Sequence, residues 1–156
     1  MAFIIDIQHA ISTKIPVTDD ELKHWAHLAL NSQIDEAELT LRIVSSEEIS
    51  RLNAQYRKKQ GPTNVLSFPT QVPKALLQEL QYPLLGDIII CADVLFSESQ
   101  ELHKPLKHHW AHIVIHGVLH LMGHDHMNPE EEDIMQAIEI KLLNEIGIPN
   151  PYDDHE

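Results

Sequence analysis

The chain has 156 residues, 43% of them hydrophobic and 22% charged, a balance that fits one globular domain and excludes a disordered chain. A single cysteine, Cys91, excludes a disulfide framework and any cysteine-rich zinc module, and it suits a reducing compartment. The 11 basic residues against 24 acidic ones give a formal charge of −13, which argues against a protein that holds nucleic acid by its bulk charge.

Residues 3–7 read as a short strand. Thr18-Asp-Asp-Glu21 is a capping box, and Leu22, Trp25, Ala26 and Ala29 follow at helical spacing. Residues 38–43 alternate apolar with polar, the pattern of a strand with one buried face. Ser45 to Glu48 cap a second helix with Ile49, Leu52 and Tyr56 on its inward stripe; it ends near Arg57, before the turn at Gly61-Pro62. Residues 65–68 form a third strand stopped by Pro69, and 70–83, with Pro73 and Pro83, read as an irregular loop. Residues 86–91 are apolar enough for a central strand.

A helix is expected from Asp93 to about Leu102, and a long one from Pro105 to about Met122, broken by Gly123. Asn128-Pro129-Glu130 opens the last helix, with Ile134, Ile138, Leu142 and Ile146 as its apolar face and Gly147 as its stop. Strands interleaved with helices, without strict βαβ repeats, predict an α+β fold on a small mixed sheet, with residues 1–156 as one domain. No apolar run is long enough to span a bilayer. The N-terminal residues lack the basic stretch and small-residue cleavage site of a signal peptide, so a soluble, cytoplasmic protein is expected.

Charge is unevenly spread. Residues 49–78 hold five bases (Arg51, Arg57, Lys58, Lys59, Lys74) and no acid, whereas 130–156 hold nine acids and one lysine. A solvated acidic tail and an incidental basic helix end would explain this, but a local basic face can also attract a polyanion. Arg57, at a helix end, offers a planar fork of donors suited to phosphate; the same position also favours a cation through the helix dipole.

Histidine occurs 12 times, which directs attention to metal chemistry. His116 and His120 lie at i and i+4 of the long helix, so both imidazoles project from one face about 6 Å apart. Gly123 lets the chain double back, so His126 can return its ring to the other two. The spacing of His116, His120, Gly123 and His126 is that of the extended zinc-protease motif H-E-x-x-H-x-x-G-x-x-H. Three histidines leave a fourth tetrahedral position open, as in catalytic zinc sites. Were these rings mere core histidines, several buried nitrogens would need other partners. The protease motif carries its general-base Glu directly after the first His, and Gly117 stands there instead. A peptide hydrolase of that type is disfavoured. His109 and His112 share the helix face and are expected to support the site or face solvent, His124 sits in the turn, and Asp125 is expected to orient a ligand histidine.

Two segments resemble the YbeY family of bacterial endoribonucleases. They are Asn53-x-x-Tyr56-Arg57 leading into Pro62-Thr63-Asn64-Val65-Leu66-Ser67-Phe68, and His116-Gly-x-Leu-His120-Leu-x-Gly123-x-Asp125-His126. Leu85-Gly86-Asp87-Ile88 and Pro151-Tyr152 fit the same pattern, so the resemblance runs from about residue 38 to 152. It implies a mixed four-stranded sheet flanked by helices, with a zincin-like three-histidine site holding one Zn2+ on His116, His120 and His126. It also implies a single-strand-specific, metal-dependent endoribonuclease acting in ribosome quality control and in maturation of the 3′ end of small-subunit ribosomal RNA. The family's functional arginine falls on Arg57. Gln60, Asn64 and His124 depart from residues frequent in the family, at positions expected to flank the site.

The expected mechanism has zinc polarising a phosphate oxygen or supplying hydroxide as nucleophile, and Arg57 stabilising charge on the non-bridging oxygens; whether water or the RNA 2′-hydroxyl attacks is left open. The acid-free stretch guides single-stranded RNA, while the acidic C-terminal segment faces away or contacts protein. Only eight Phe, Trp and Tyr residues are present, so a ribosomal or other protein partner is expected to deliver the substrate; neither DNA nor a membrane is expected as a partner. Two other readings remain open: a metallohydrolase of another substrate class, and a non-catalytic ribosome-assembly factor with structural zinc.

Overall fold

A computed structural model describes residues 2–71, 73–77 and 83–153. In chain order the elements are β1 (Ala2–His9), α1 (Asp19–Asn31), β2 (Glu36–Val44), α2 (Ser46–Arg57) and β3 (Val65–Pro69). They continue with α3 (Lys74–Leu77), β4 (Leu84–Cys91), α4 (Ala92–Glu101), α5 (Leu106–Leu121) and α6 (Pro129–Glu145).

Local chemistry sets most of these boundaries. The hydroxyl of Thr18 accepts from the Glu21 amide while the Glu21 carboxylate accepts from the Thr18 amide, which completes the capping box of α1. Ser45 caps α2 through the Glu48 amide, and Asn128 caps α6 through the Glu131 amide with Pro129 at the first helical turn. Gly123, at φ 103, ends the α5 segment, and Gly147, at φ 78, follows α6.

The strands form one sheet in the order β1-β2-β4-β3. β1 pairs parallel with β2, β2 parallel with β4, and β3 antiparallel with β4. One face buries Leu39, Leu41, Ile43, Ile88 and Ile90 beneath α1 and α5, together with Trp25 and Trp110. The other face carries a smaller cluster of Val44, Ile49, Leu66, Ile89 and Cys91 under α2. Helix α5 is the centre of the larger layer: of its 16 residues, ten are buried. The expected α+β architecture on a mixed four-stranded sheet is what the chain adopts.

Three local expectations need correction. The stretch 70–83 contains the single-turn helix α3, while residues 72 and 78–82 lie outside the described set. The inward stripe of α2 holds Ile49 and Leu52 as expected but takes Asn53 in place of Tyr56: Asn53 donates to the Gly61 carbonyl and ties down the following turn, and Tyr56 is exposed. On α6 the expected Ile138, Leu142 and Ile146 pack against the core, but Ile134 is exposed and the most buried positions are Met135, Glu139, Leu142 and Leu143. A carboxylate at the centre of that face, Glu139, has partners that compensate its burial, described below.

Two glycines fix how closely neighbours approach. A Cβ on Gly86, whose φ is +140, would lie 2.1 Å from the Phe68 carbonyl oxygen of the paired strand. A Cβ on Gly117 would lie 2.9 Å from Ile88 Cγ2 and 3.4 Å from Val65 Cγ2. Helix α5 therefore rests on β4 and β3 at a distance that a larger residue would increase. Gly117→Ala is expected to lower stability by about 1–3 kcal/mol through overpacking, net of the better helix propensity of alanine. Gly86→Ala should cost more, because the obstacle there is backbone and the φ is foreign to L-residues. Denaturant midpoints at unchanged m-values check both, and unaltered midpoints would contradict the close approach.

Candidate metal centre and its surroundings

Because Gly117 faces the sheet, the ridge of α5 a third of a turn away faces away from it and carries His112, His116 and His120, with His109 on the same ridge buried against Glu98 of α4. After Gly123 the chain turns back and brings His126 to the end of this ridge. The ring centroids of His116, His120 and His126 are separated by 6.0 Å, 5.9 Å and 5.5 Å for the 116–120, 116–126 and 120–126 pairs. The three rings gather at the end of α5, with His116 standing outside the tighter group that His120 and His126 make with Asp125. Asp125 lies beside them. Its Oδ1 accepts from the His126 amide at 2.7 Å and stands 3.9 Å from His120 Nε2. The ligating atoms of His120, Asp125 and His126 all fall within 4.8 Å of one another. The donor set of imidazoles with an adjacent carboxylate fits a divalent transition metal.

The most buried polar group next to these rings is Glu139 of α6, with no solvent exposure. His116 Nδ1 donates to its Oε2 at 2.7 Å, His112 Nε2 donates to its Oε1 at 2.9 Å, and the Tyr152 hydroxyl donates to the same Oε1. Burial alone would raise the pKa of this carboxyl, but the donors from His112 and His116 outweigh it and lower the value to about 2. Burial and the Glu139 carboxylate push the Tyr152 phenol well above its ordinary range. Burial, followed by the neighbouring His116 ring, lowers His120, which keeps its imidazole neutral and able to bind metal. Burial also lowers His112, against the pull of Glu139.

Arg57 closes α2 on the far side of β3. Its Nη2 donates to the Ser67 carbonyl at 2.7 Å, and its guanidinium lies 5.4 Å from the Phe68 ring centroid. Ser67 Oγ in turn donates to the Gly117 carbonyl at 3.2 Å, directly beside His116 in the chain. Strand β3 thus ties the arginine to the histidine helix. Arg57 is exposed and, among the described residues, has no carboxylate partner, unlike Arg42, which Glu48 holds through two hydrogen bonds.

Other expectations fare differently. His124 turns away to hydrogen-bond Gln33. Asn64 does not point toward the histidines; it donates to Glu98, which also accepts from His109. Most acids of the C-terminal segment are exposed, but two turn to the histidines. Glu132 and Glu139 line a cavity of about 270 Å³ together with His116, His126, Gln136 and Tyr152. Sequence reasoning missed Glu139 altogether, although it stands alone between Ile138 and Ile140, apart from the acidic run at 130–133. A carboxylate falling at i, i+4, i+7 and i+8 with Met135, Leu142 and Leu143 was the available signal.

An α+β layer with a cluster of histidines on its central helix, able to hold a metal ion, is the class of protein that this geometry defines. The family model for "Endoribonuclease YbeY" matches residues 7–147. Proteins named endoribonuclease YbeY from Legionella pneumophila, strains Corby and Lens, are each 50% identical over 156 residues, covering 100% of this chain and 98% of theirs. The chain belongs to the YbeY endoribonuclease family. It also shares its fold with the solution structure of TM1509 from Thermotoga maritima, at a TM-score of 0.59 and 23% identity over 97% of each chain.

Acid stability follows from these shifts. His112 and His120 have folded pKa values below the ordinary 6.5, so the unfolded chain binds more protons and stability falls as pH drops through that region. Glu139 contributes stability that is complete above 4.5 and lost as pH falls toward about 2. Thermal melts of metal-free protein should show an acid-side loss beginning near pH 6.5 and a second, steeper one below about 4.5. A flat profile through both regions would contradict the buried network.

Proposed function

We propose that this chain is a zinc-dependent endoribonuclease of single-stranded RNA, acting in maturation of the small-subunit ribosomal RNA 3′ end and in ribosome quality control. His116, His120 and His126 hold the metal, and the chain works as one domain in the cytoplasm. The observation that supports this reading is the gathering of the three imidazole rings within 6.0 Å of one another at the end of α5, in a chain half identical to proteins named as endoribonucleases. Among the described residues no helix is long and apolar enough to cross a membrane.

The metal, when bound, supplies Lewis acidity toward phosphate oxygens. The protein supplies position and charge. Arg57 presents its remaining donors to the scissile phosphate, steadied by the Ser67 carbonyl and the Phe68 ring, and offsets charge that develops on the non-bridging oxygens. The exposed bases Arg51, Lys58 and Lys59 extend the same positive face along the strand's path. Glu132 and Glu139 repel a backbone approaching over α6, so RNA reaches the centre from the Arg57 side. Few aromatic platforms are exposed, Tyr56 and Tyr152 among them, which favours delivery of the substrate by the ribosome or a bound protein. A side chain at position 117 would point into the sheet rather than toward the metal, which supports RNA over a peptide substrate requiring a glutamate base there.

Purified zinc-loaded protein should cleave a labelled single-stranded RNA. Arg57→Ala is expected to slow cleavage by about 10²–10³-fold, the effect of losing one transition-state donor, with zinc content unchanged. His116→Ala should lose both zinc and cleavage while remaining folded. Equal cleavage by all three preparations would mean a contaminating nuclease. Absence of cleavage by the wild type, on free RNA and on ribosomal particles alike, would favour a non-catalytic assembly factor.

A further inference from the structure

Helix α5 offers more histidines than one metal needs. His112 and His116 are one turn apart with ring centroids separated by 6.3 Å, so their spacing alone does not decide which of them binds. The decision lies in which nitrogen of each ring is already engaged. Glu139 takes Nδ1 of His116 and thereby leaves Nε2 with its lone pair for a ligand. The same carboxylate takes Nε2 of His112, the outer nitrogen, and Tyr152 stands 3.1 Å from that atom as well. One ring is presented and the other is withheld.

We propose that Glu139 is a positioning residue that selects His116 over His112 as the metal ligand, and that Tyr152 locks it in place. This rests on the metal reading above and adds to it a selection step performed from α6 and the C-terminal segment. Three features carry it. Glu139 is fully buried, and its ion-pair partners among the described residues are the two imidazoles, with no lysine or arginine. A buried carboxylate among neutral donors keeps an uncompensated charge, which a divalent cation on the far nitrogen of His116 would balance. Finally, Tyr152 is held where it can act: its amide donates to Asn150 Oδ1 at 2.8 Å, and the Lys104 ammonium donates to the Pro151 carbonyl. The Pro151-Tyr152 pair, conspicuous in the sequence and otherwise without a role, then has one.

The test is the zinc dissociation constant of the full chain, measured by competition with a chromophoric chelator, together with the visible spectrum of bound Co2+ and the melting temperature of metal-free protein. Glu139→Gln is expected to weaken zinc binding by about 10–100-fold and to shift the Co2+ spectrum. Tyr152→Phe removes one hydroxyl at a partly exposed site, should leave metal-free melting unchanged, and should weaken zinc by about fivefold. A purely structural role would move melting temperatures and leave the affinity of folded protein alone. Wild-type affinity in both folded variants overturns the selection role. If Glu139→Gln does not fold, Tyr152→Phe decides by itself: weaker zinc supports the proposal and unchanged zinc overturns it. A wild type that binds no zinc overturns the metal reading itself, and this inference with it.

Discussion

Gly117 lets α5 lie so close to β4 that a single added carbon would meet Ile88 Cγ2 at 2.9 Å. Several consequences follow from that contact. With Gly117 and its buried neighbours turned to the sheet, helical periodicity turns the His112–His116–His120 ridge away from it, where α6 and the returning His126 segment can reach it. The same approach brings the Gly117 carbonyl within reach of Ser67 on β3, and through Ser67 the backbone orients Arg57. Fold and site therefore share one packing constraint. A residue that pushed α5 off the sheet would disturb the arginine and the histidines together.

Charge is organised around the same helix. On one side Glu139 is buried beneath the histidines as a hydrogen-bonded anion, and Glu132 adds to the negative wall of the adjoining cavity. On the other side of β3, the end of α2 exposes Arg57, Lys58 and Lys59 with no acid nearby in the chain. A net charge of −13 conceals this division. For a polyanionic substrate the local field matters more than the total.

Much of this was legible in the sequence because it depends on neighbours in the chain. Capping residues Thr18, Ser45 and Asn128 mark helix starts through their own hydrogen bonds, and alternation in residues 38–43 marks a half-buried strand. The proximity of the His116, His120 and His126 rings follows from their spacing through helix geometry and one glycine turn. Long-range facts were not legible. Glu139 gains its partners only when α6 docks on α5, and that docking, which leaves Ile134 exposed and buries Met135, is set by tertiary packing. The alliance of Asn64 with Glu98, 34 positions later, is likewise a product of topology. Tyr152 could be singled out from the sequence, but its partner could not.

The most direct test of the account is a crystal structure of the zinc-loaded protein. The account predicts zinc bound to nitrogens of His116, His120 and His126 at about 2.0–2.1 Å, with His116 bonded through Nε2 and its Nδ1 still hydrogen-bonded to Glu139. Zinc on His112, or on His120, Asp125 and His126 with His116 left aside, would contradict it.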